Sequence, residues 1–423
     1  VGWRRQGGIT REVALEWRPD LHVEAVEVEP DAETGMIRVA VSVRHSGSGS
    51  VGEGQISLVV FGPEGGPVLD SPGMEIRVPP GGETRWEWRD KIENVARWSP
   101  ATPRLYRAEV RVMSRDGRED WSVRRFGFRT VRASAEGLWL NGERIFLTGF
   151  NRHEDVPDRG PIFDPGSVRK ELEKMKEAGA NFIRLCHYPH HPGELDLCDE
   201  LGLIALAEIP LYFWSDHEVG RRHQTAREEA GRRQLRAMIA RDRHHPSILF
   251  WSVSNETDED DPEVAAMNRR LIREAKTLDP NRLCLHVSNH WTDHPNFEED
   301  DVVAVNWYPG LRWEARGKGP AYDGNGAATE WRVELERLHQ RYPAKPILIT
   351  EFGGCSWMGV REGAFGEERH ARQLEVELGV FDFPYLCGAA VWCWADHLWP
   401  PGRFFGGLAV SPFGVLTRDR RPK

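Results

Sequence analysis

Apolar and polar residues alternate in short runs from Leu21 to Arg132, and clusters of glycine and proline separate these runs. A period of two directs every second side chain to the same face, which is typical of half-buried β-strands. Several short strands at this spacing favour a β-sandwich of the immunoglobulin-like type. The segment holds no cluster of convergent polar groups, so we interpret it as a packing or spacer domain. Its clearest runs are Met36–Val43, Ile56–Phe61, Thr84–Trp88 and Tyr106–Val112.

From Ala133 onward, short apolar runs alternate with stretches in which apolar residues recur every three or four positions. The second spacing is typical of amphipathic helices, and alternating strands and helices predict a parallel sheet. Eight apolar runs over about 290 residues fit a (β/α)8 barrel. The predicted strands are Ile145–Phe150, Asn181–His187, Leu203–Ile209, Ile248–Ser254, Leu283–Val287, Val302–Trp307, Pro346–Phe352 and Ala389–Trp394. The predicted helices are Ser167–Ala178, Gly193–Glu200, Ala226–Arg243, Pro262–Leu278, Thr329–Arg341 and Glu367–Leu378.

An open, doubly wound sheet is the competing architecture for this part of the chain. Such sheets commonly carry a glycine-rich phosphate loop after the first strand, and none follows Ile145–Phe150. We therefore predict the barrel, in which the chemistry lies at the carboxyl ends of the strands. The residues expected there are rich in carboxylates, imidazoles, amides and aromatic rings. They are Asn151–His153, His187, Glu208, Asn255–Glu256, Asn289–His290, Tyr308, Glu351 and Trp392–Asp396.

Two glutamates, Glu256 and Glu351, each follow a strongly apolar strand. A carboxylate is costly to bury at such a place unless it is paired or functional. By strand count they end the fourth and seventh strands, which face each other across a barrel mouth. Two facing carboxyl groups move each other's pKa apart, leaving one protonated and one ionised, and glycoside hydrolysis uses such a pair. The alternative interpretation is that each glutamate forms a salt bridge with a nearby arginine at the rim.

Three other predicted strand-end residues fit the same chemistry. Asn255 directly precedes Glu256, and we expect its amide to bond a sugar 2-hydroxyl, a contact that strengthens in the transition state. We expect Tyr308 to hold Glu351 in place and Trp392 to form a platform under the sugar ring.

Composition narrows the class of protein. The 423 residues suggest two to three domains, or one large barrel with a smaller domain. With 56 basic and 66 acidic residues the net charge is −10, which argues against a nucleic-acid partner. No apolar window approaches 18 residues, so we expect no membrane span. The six cysteines form no CxxC pair, which predicts reduced, buried thiols and a cytoplasmic location.

The cluster of His187, His190 and His191 raises the question of a metal site. Zinc bound by imidazoles requires further ligands at a fixed geometry. The string HYPHHP holds two prolines and no helix that would align the spacing. We therefore expect His187 to contact a substrate hydroxyl, and we predict neither a metal nor a cofactor.

Several long strings resemble glycoside hydrolase family 2, which includes β-galactosidases, β-glucuronidases and β-mannosidases. The similarity extends over the barrel in the correct order, and WSPATPRLYRAEV resembles the end of the family's immunoglobulin-like domain. GGITREVAL resembles the last strand of the jelly-roll domain that precedes it in the family. The strings in the barrel are GFNRHED (149–155), HYPHHP (187–192), LCDELGL (197–203), HPSILFWSVSNE (245–256), ITEFG (349–353) and TRDRRPK (417–423).

The resemblance implies a retaining, double-displacement mechanism. Glu256 matches the family's acid/base and Glu351 its nucleophile, and their carboxyl groups are then expected about 5 Å apart. The other matching residues line the sugar subsite in relatives. They are His153, His187, Asn255, Tyr308 and Trp392.

The resemblance also implies a domain division. Residues 1–18 would be a remnant of the jelly roll, 19–132 the immunoglobulin-like sandwich, and 133–423 the barrel without its last helix. In relatives the jelly roll can contribute an acidic residue to the sugar site.

Family motifs other than the two glutamates help to predict which sugar is hydrolysed. Large β-galactosidases carry a Glu-x-His magnesium pair after the third strand, where this chain has Tyr212 and Trp214. β-Glucuronidases carry an Asn-x-Lys pair near the C-terminus that holds the sugar carboxylate. The segment 402–415 contains no such pair. Arg403 is the only basic residue in it that would substitute for the lysine. The expected activity is therefore that of an exo-acting β-galactosidase without magnesium, with β-glucuronidase as the alternative.

Other classes remain as hypotheses. A non-catalytic carbohydrate-binding fragment is one, although both glutamates are present. An endo-acting β-mannanase barrel is another, although the preceding sandwich and NRHED favour family 2. We expect a carbohydrate substrate as the partner, with homo-oligomerisation possible.

Overall fold

The computed structural model describes residues 8–212, 224–292, 296–309, 311, 324–363, 365–398 and 409–423. Along these residues an all-β domain comes first, a small antiparallel sheet follows, and a closed barrel completes the chain. The predicted barrel with a preceding immunoglobulin-like domain is confirmed. Residues 8–20 form no regular element, and the predicted jelly-roll remnant at 1–18 stays a prediction.

The all-β domain packs two antiparallel sheets face to face. Three strands form one sheet in the order β1-β2-β5, and four form the other in the order β4-β3-β6-β7. Alternate side chains of both sheets, such as Val39, Val41, Leu58 and Val110, fill one apolar core. The strands are β1 (Leu21–Pro30), β2 (Met36–His45), β3 (Gly52–Phe61), β4 (Pro67–Val78), β5 (Glu83–Lys91), β6 (Tyr106–Ser114) and β7 (Glu119–Phe126).

A three-stranded sheet links the sandwich to the barrel. Its Leu138 and Leu140 belong to the same buried cluster as Leu147, Phe182 and Phe250 of the barrel. The sheet therefore contributes to the apolar core inside the barrel. The predicted domain boundary after residue 132 falls inside its first strand. Its strands are β8 (Val131–Ser134), β9 (Gly137–Leu140) and β10 (Glu143–Ile145).

Eight parallel strands close the barrel, because β11 (Leu147–Arg152) pairs with both its successor and the last strand. Gly149 is required on β11, since a Cβ there would lie 2.0 Å from the Phe182 carbonyl oxygen of the neighbouring strand. The other strands are β12 (Phe182–Leu185), β13 (Ile204–Glu208), β14 (Ile248–Asn255), β15 (Leu283–Ser288), β16 (Val303–Asn306), β17 (Ile347–Phe352) and β18 (Leu386–Val391).

Two predicted barrel strands were misplaced. The first begins at Leu147 rather than Ile145, because Ile145 ends β10 of the small sheet. The eighth is β18, Leu386–Val391, rather than Ala389–Trp394. The apolar run continues past the strand because Trp392 and Cys393 belong to a separate buried cluster at the barrel mouth. Hydrophobicity alone therefore could not fix the end of this strand.

Amphipathic helices lie between the barrel strands. The predicted Pro262–Leu278 and Glu367–Leu378 match the observed bounds, and the others differ by one to five residues at an end. Asp261 explains one start, since its side chain accepts from the Glu263 amide and Pro262 stands at the first helical position. The helices are α1 (Pro165–Glu177), α2 (Pro192–Leu201), α3 (Gln224–Asp242), α4 (Pro262–Leu278), α5 (Gly324–Arg341) and α6 (Glu367–Leu378).

Buried side chains join the sandwich to the barrel. Trp98 is fully buried, and its indole donates to the Asp199 carbonyl of α2. Arg129 donates to the carbonyl oxygens of Pro246, Ile248 and Asn281. These bonds lie beside the amino ends of β14 and β15, which leaves the carboxyl ends of the strands available for a site.

The C-terminal residues return to the carboxyl end of the barrel. The short strands β19 (His397–Leu398) and β20 (Val410–Ser411) pair there. Arg418 forms a two-bond ion pair with Asp155, and Lys423 donates to Asp396 at 2.8 Å. These contacts anchor the chain end next to the loops that follow β11 and β18.

All six cysteines lie in described segments and are buried with free thiols, as the sequence predicted. Among the described residues, no helix combines the length and the apolar composition that a membrane crossing requires.

Candidate active site

The inside of the barrel changes character from one end to the other. At the amino end, Leu206 of β13 and Phe250 of β14 lie in the apolar core. Two positions further along the same strands, and therefore on the same face, stand Glu208 and Ser252. They bond to each other at 2.6 Å. A polar layer thus begins inside the barrel just below its mouth.

Arg184 is the centre of this polar layer. It lies on β12 with no exposed surface, and its guanidinium faces Glu208 at 3.1 Å and Glu351 at 2.5 Å. It also donates to the side-chain carbonyl oxygens of Asn151 at 3.0 Å and Asn255 at 2.6 Å. Burial alone would lower the pKa of Arg184, but the two carboxylates raise it. The cation is therefore permanent, and it fixes residues from four strands.

Glu351 lies on the seventh strand, β17, as predicted, and both of its oxygens are occupied. Arg184 donates to Oε1, and the Tyr308 hydroxyl donates to Oε2 at 2.6 Å. Burial and the two glutamates, 351 and 256, raise the pKa of Tyr308 well above its usual value, which keeps the phenol protonated as a donor. The His187 ring approaches within 3.8 Å of Oε1. The contact between Tyr308 and Glu351 is the one expected from sequence.

Glu256 directly follows the fourth strand, β14, and its surroundings differ. Its backbone has φ +49°, a left-handed conformation that is uncommon for a residue with a side chain. Its amide donates to the Val287 carbonyl, and its Oε1 accepts from the Asn306 amide at 2.7 Å. Burial, followed by repulsion from Glu351, raises the pKa of Glu256 to about 8. At neutral pH this carboxyl group therefore holds a proton.

Two side-chain amides beside Glu256 have fixed orientations. The Asn255 Oδ1 accepts from Arg184 and from Asn306 Nδ2, and the Asn306 Oδ1 accepts from the Thr350 hydroxyl. Asn255 must therefore direct its Nδ2 elsewhere. That nitrogen is buried and has no hydrogen-bond partner among the described residues. An unsatisfied buried donor at this position suits a ligand oxygen.

Aromatic rings form one wall of the site. The predicted platform, Trp392, follows β18, and its ring lies nearly parallel to that of His187 at a centroid distance of 5.3 Å. His153 follows β11 and meets the Trp392 ring edge to face at 5.4 Å. The His153 Nδ1 is 3.2 Å from the Tyr188 hydroxyl. The structure thus gathers all seven predicted site residues at the mouth of the barrel.

The three histidines of HYPHHP do not converge on one point. The His187 Nδ1 contacts Glu208 at 2.9 Å, the His190 Nδ1 contacts Glu194 at 3.1 Å, and His191 caps α2. A different trio, His153, Cys186 and His187, has potential ligand atoms within 4.8 Å of one another. The Arg184 guanidinium, which lies 3.0 Å from the His187 Nδ1, places a positive charge where a metal ion would bind.

Some predicted strand-end residues lie apart from this cluster. Asn289 is exposed, and His290 faces Asp260 at 3.3 Å. Asp396 bonds to Lys423 and to the Gly414 amide. Trp214, at a magnesium-ligand position of large β-galactosidases, and Arg403, the candidate contact for a uronate carboxylate, lie outside the described residues.

Comparison with known families settles the class. The family description "Glycosyl hydrolases family 2, TIM barrel domain" matches residues 131–398, and "Glycosyl hydrolases family 2" matches residues 21–129. This chain belongs to glycoside hydrolase family 2. The predicted resemblance is confirmed, and the two matched segments meet where β8 begins.

Relatives within family 2 have more than one name. A β-glucuronidase of Paenibacillus borealis is 28% identical over 98% of this chain and 68% of its own length. A β-galactosidase of Vibrio cholerae is 26% identical over 98% of this chain and 39% of its own length. The crystal structure of a Bacteroides uniformis β-glucuronidase superposes with a TM-score of 0.83 at 26% identity, over 96% of this chain and 50% of that one. The chain thus spans 39–68% of the length of these family 2 relatives.

Sequence reasoning missed two residues of this family 2 site, Arg184 and Asn306. Both lie inside apolar strands rather than after them. Arg184 occupies the same strand face as Phe182, which belongs to the interior cluster. A charge at a lumen-facing position of an apolar strand was a usable signal, since a buried arginine needs buried acceptors.

Proposed function

We propose that this family 2 chain is a retaining exo-β-glycosidase in which Glu256 is the acid/base and Glu351 the nucleophile. The observation that carries the proposal is the asymmetry between the two carboxyl groups. Glu256 has one amide partner and a pKa raised to about 8, as a general acid requires. Glu351 is fixed through both oxygens by Arg184 and Tyr308, which orients it for attack.

The reaction takes two steps. In the first, a Glu351 oxygen attacks the anomeric carbon while the Glu256 proton passes to the departing glycosidic oxygen, which leaves as an alcohol. This step leaves the sugar in an ester bond to Glu351. In the second step Glu256, now ionised, removes a proton from water, whose oxygen attacks the same carbon and releases Glu351. Two inversions retain the anomeric configuration.

Neighbouring residues have supporting roles in this proposal. The unsatisfied Asn255 Nδ2 donates to the sugar 2-hydroxyl, because its Oδ1 is already occupied by two donors. The Trp392 ring, on which the His187 ring stacks, suits the apolar face of a sugar. His153 completes the wall beside them.

For the sugar we propose a terminal β-galactoside. The Asn-x-Lys pair of β-glucuronidases has no counterpart in the segment 402–415. The basic side chains described in the site and next to it are engaged, since Arg184 in the site is held by two carboxylates and Lys423 outside it by Asp396. A uronate carboxylate would need a cation that is not already paired.

β-Glucuronidase is the second candidate, favoured by the names of the Paenibacillus borealis and Bacteroides uniformis relatives. Initial rates on 4-nitrophenyl β-galactoside, β-glucuronide, β-mannoside and β-glucoside separate the candidates. We expect the β-galactoside to have the highest kcat/KM. A higher value for the β-glucuronide would replace the proposed sugar and leave the mechanism intact.

A non-catalytic binding role predicts a different pattern. In that case Glu351→Gln and the wild type would show the same background release of nitrophenol. Under the proposed mechanism the wild type hydrolyses one of the four glycosides and the variant does not. Glycan binding without hydrolysis of any glycoside would contradict the proposal.

A further inference from the structure

A second buried cluster of charged groups lies on the helix-facing side of the barrel wall, behind the candidate active site. It consists of Glu259, His286 and Asp300 with the neutral hydroxyl of Ser288, each less than 5% exposed. His286 lies on β15 between Leu285 and Val287, which both belong to the cluster inside the barrel. Because side chains alternate along a strand, His286 faces away from the barrel interior. It therefore does not reach the sugar site directly.

The His286 ring bridges two carboxylates. Its Nδ1 lies 2.8 Å from Asp300, whose same oxygen accepts from the His286 amide at 2.7 Å. Its Nε2 lies 3.4 Å from Glu259 Oε2, and the Ser288 hydroxyl donates to that oxygen at 2.8 Å. The Phe297 ring stacks on the imidazole at 4.9 Å. A site this dry holds two carboxylates only if a cation compensates them.

The charge balance supports a protonated imidazole at this position. Burial would lower the pKa of His286, but Asp300 and Glu259 raise it to about 10. The imidazole lies between the two carboxyl groups, and burial raises the pKa of Asp300 although His286 and Lys345 attract its charged form. Removal of the imidazolium would leave Glu259 without its counter-ion.

Glu259 connects this cluster to the acid/base. It lies three residues after Glu256, in the loop between β14 and α4, and its amide donates to the Thr257 carbonyl. The loop is tied to β15 at two points: the Glu256 amide donates to the Val287 carbonyl, and Glu259 accepts from Ser288. Glu256 itself has φ +49°, a conformation that surrounding contacts must maintain.

We propose that His286 is a positioning residue for general-acid catalysis, acting through Glu259 to hold the strained backbone that aims Glu256 at the leaving oxygen. The inference rests on the proposed function, because it assumes that Glu256 is the acid. It assigns a mechanistic role to a residue that does not contact the sugar.

Leaving-group dependence separates acid positioning from a general loss of structure. A good leaving group such as 2,4-dinitrophenolate departs without protonation, whereas methanol departs only with a proton from the acid. A misaimed Glu256 therefore slows the first step for methyl glycosides and spares dinitrophenyl glycosides. Structural damage lowers both rates by the same factor. The quantity to compare is kcat/KM, which reports the first irreversible step.

The test uses two substitutions at one site. In His286→Asn the amide nitrogen occupies roughly the Nδ1 position and keeps the Asp300 contact, while the Glu259 contact is lost. In His286→Gln the amide reaches roughly the Nε2 position and keeps the Glu259 contact. The matched control is His245→Gln. His245 is buried just before the amino end of β14, away from Glu256, and the substitution breaks its 2.6 Å hydrogen bond to Asp199.

We expect His286→Asn to lower kcat/KM for the methyl glycoside by about tenfold or more and to leave the dinitrophenyl value within about twofold, since a general acid contributes about 10²–10⁴-fold. His286→Gln should recover part of the loss, and His245→Gln should lower Tm without selectivity. If His286→Asn fails to fold, Ser288→Ala removes the hydroxyl that donates to Glu259 and should show the same selectivity with a smaller effect.

Equal losses on both substrates in His286→Asn or Ser288→Ala would overturn the inference. Glu256→Gln distinguishes this from a failure of the proposed function. If Glu256→Gln is selective for the leaving group and the His286 variants are not, only the positioning role fails. If Glu256→Gln shows no selectivity, the acid assignment fails and this inference fails with it.

Discussion

The two ends of the barrel are built from the same strands but differ in the side chains that they bury. At the amino end Leu206, Phe250 and Leu285 pack into an apolar core to which the small sheet β8–β10 adds Leu138 and Leu140. At the carboxyl end the same strands place buried charges around Arg184. The amino end contributes stability through burial, and the carboxyl end contains costly polar groups. The separation lets a catalytic site be strained without loss of the fold.

The largest expected effect is at the carboxyl end. Glu351→Gln should lower kcat by about a thousandfold or more, since it removes the atom that bonds to the sugar. The fold should persist, because the glutamine oxygen still accepts from Arg184 or Tyr308. Steady-state kinetics and circular dichroism check the two parts. Activity close to that of the wild type would refute the assignment of the nucleophile.

A substitution at Arg184 should affect both chemistry and stability. Arg184→Met leaves Glu208 and Glu351 buried without their shared cation, a loss of about 3–5 kcal/mol for a broken buried pair. Urea denaturation measures this loss, and kcat should fall as well because Glu351 loses one of its two donors. A stable, active variant would mean that the polar layer does not depend on this cation.

At the amino end, Phe250→Ala should show the reverse pattern. Phe250 is fully buried, and truncating it should reduce the free energy of unfolding by about 3–5 kcal/mol. We expect kcat per folded molecule to stay unchanged, measured well below the lowered Tm. A loss of kcat as large as the loss of stability would mean that the two ends are coupled.

The pH dependence of kcat/KM tests the acid role of Glu256 without a substitution. Because the pKa of Glu256 is about 8 and its protonated form is the active one, kcat/KM should fall about tenfold per pH unit above pH 8. Initial rates between pH 5 and 10 measure this limb. A basic limb near pH 5 would contradict the protonated state of Glu256.

Glu256→Gln should gain stability relative to the wild type at neutral and alkaline pH. The pKa of Glu256 is higher in the folded state than its ordinary value of 4.5, so the folded protein binds more protons between pH 4.5 and 8. The wild type therefore loses stability as pH rises through this window, and the glutamine variant does not. The variant should be the more stable at pH 8 and similar at pH 4. Denaturation at the two values checks the sign.

Local signals in the sequence predicted much of the barrel. Asp261 and Pro262 mark the start of α4, and periodic apolar residues carry it to Leu278. Glu256 and Glu351 were conspicuous because a carboxylate is out of place after an apolar strand. The alternation of apolar and polar residues did not reveal β4. Its Pro67 and Pro72 and its largely exposed side chains weaken the signal of a strand.

Long-range contacts could not be derived from the sequence. Arg184 was an unremarked charge within FIRL until the fold brought Glu351, 167 positions away, to its guanidinium. Asn306 likewise gained its meaning only from its contact with Glu256. The pKa of about 8 at Glu256 depends on burial and on a neighbour across the barrel, and neither is a property of local sequence.

The central claim is that Glu351 forms a covalent bond to the sugar. Incubation with 2,4-dinitrophenyl 2-deoxy-2-fluoro-β-galactoside slows the second step and should trap that bond, because the fluorine destabilises both transition states while the leaving group keeps the first step accessible. If the panel favours another sugar, its 2-fluoro analogue takes the place of this reagent. We expect mass spectrometry of the digested protein to find one fluoro-sugar on the peptide containing Glu351. Label on the peptide containing Glu256, or turnover with inverted anomeric configuration, would contradict the account.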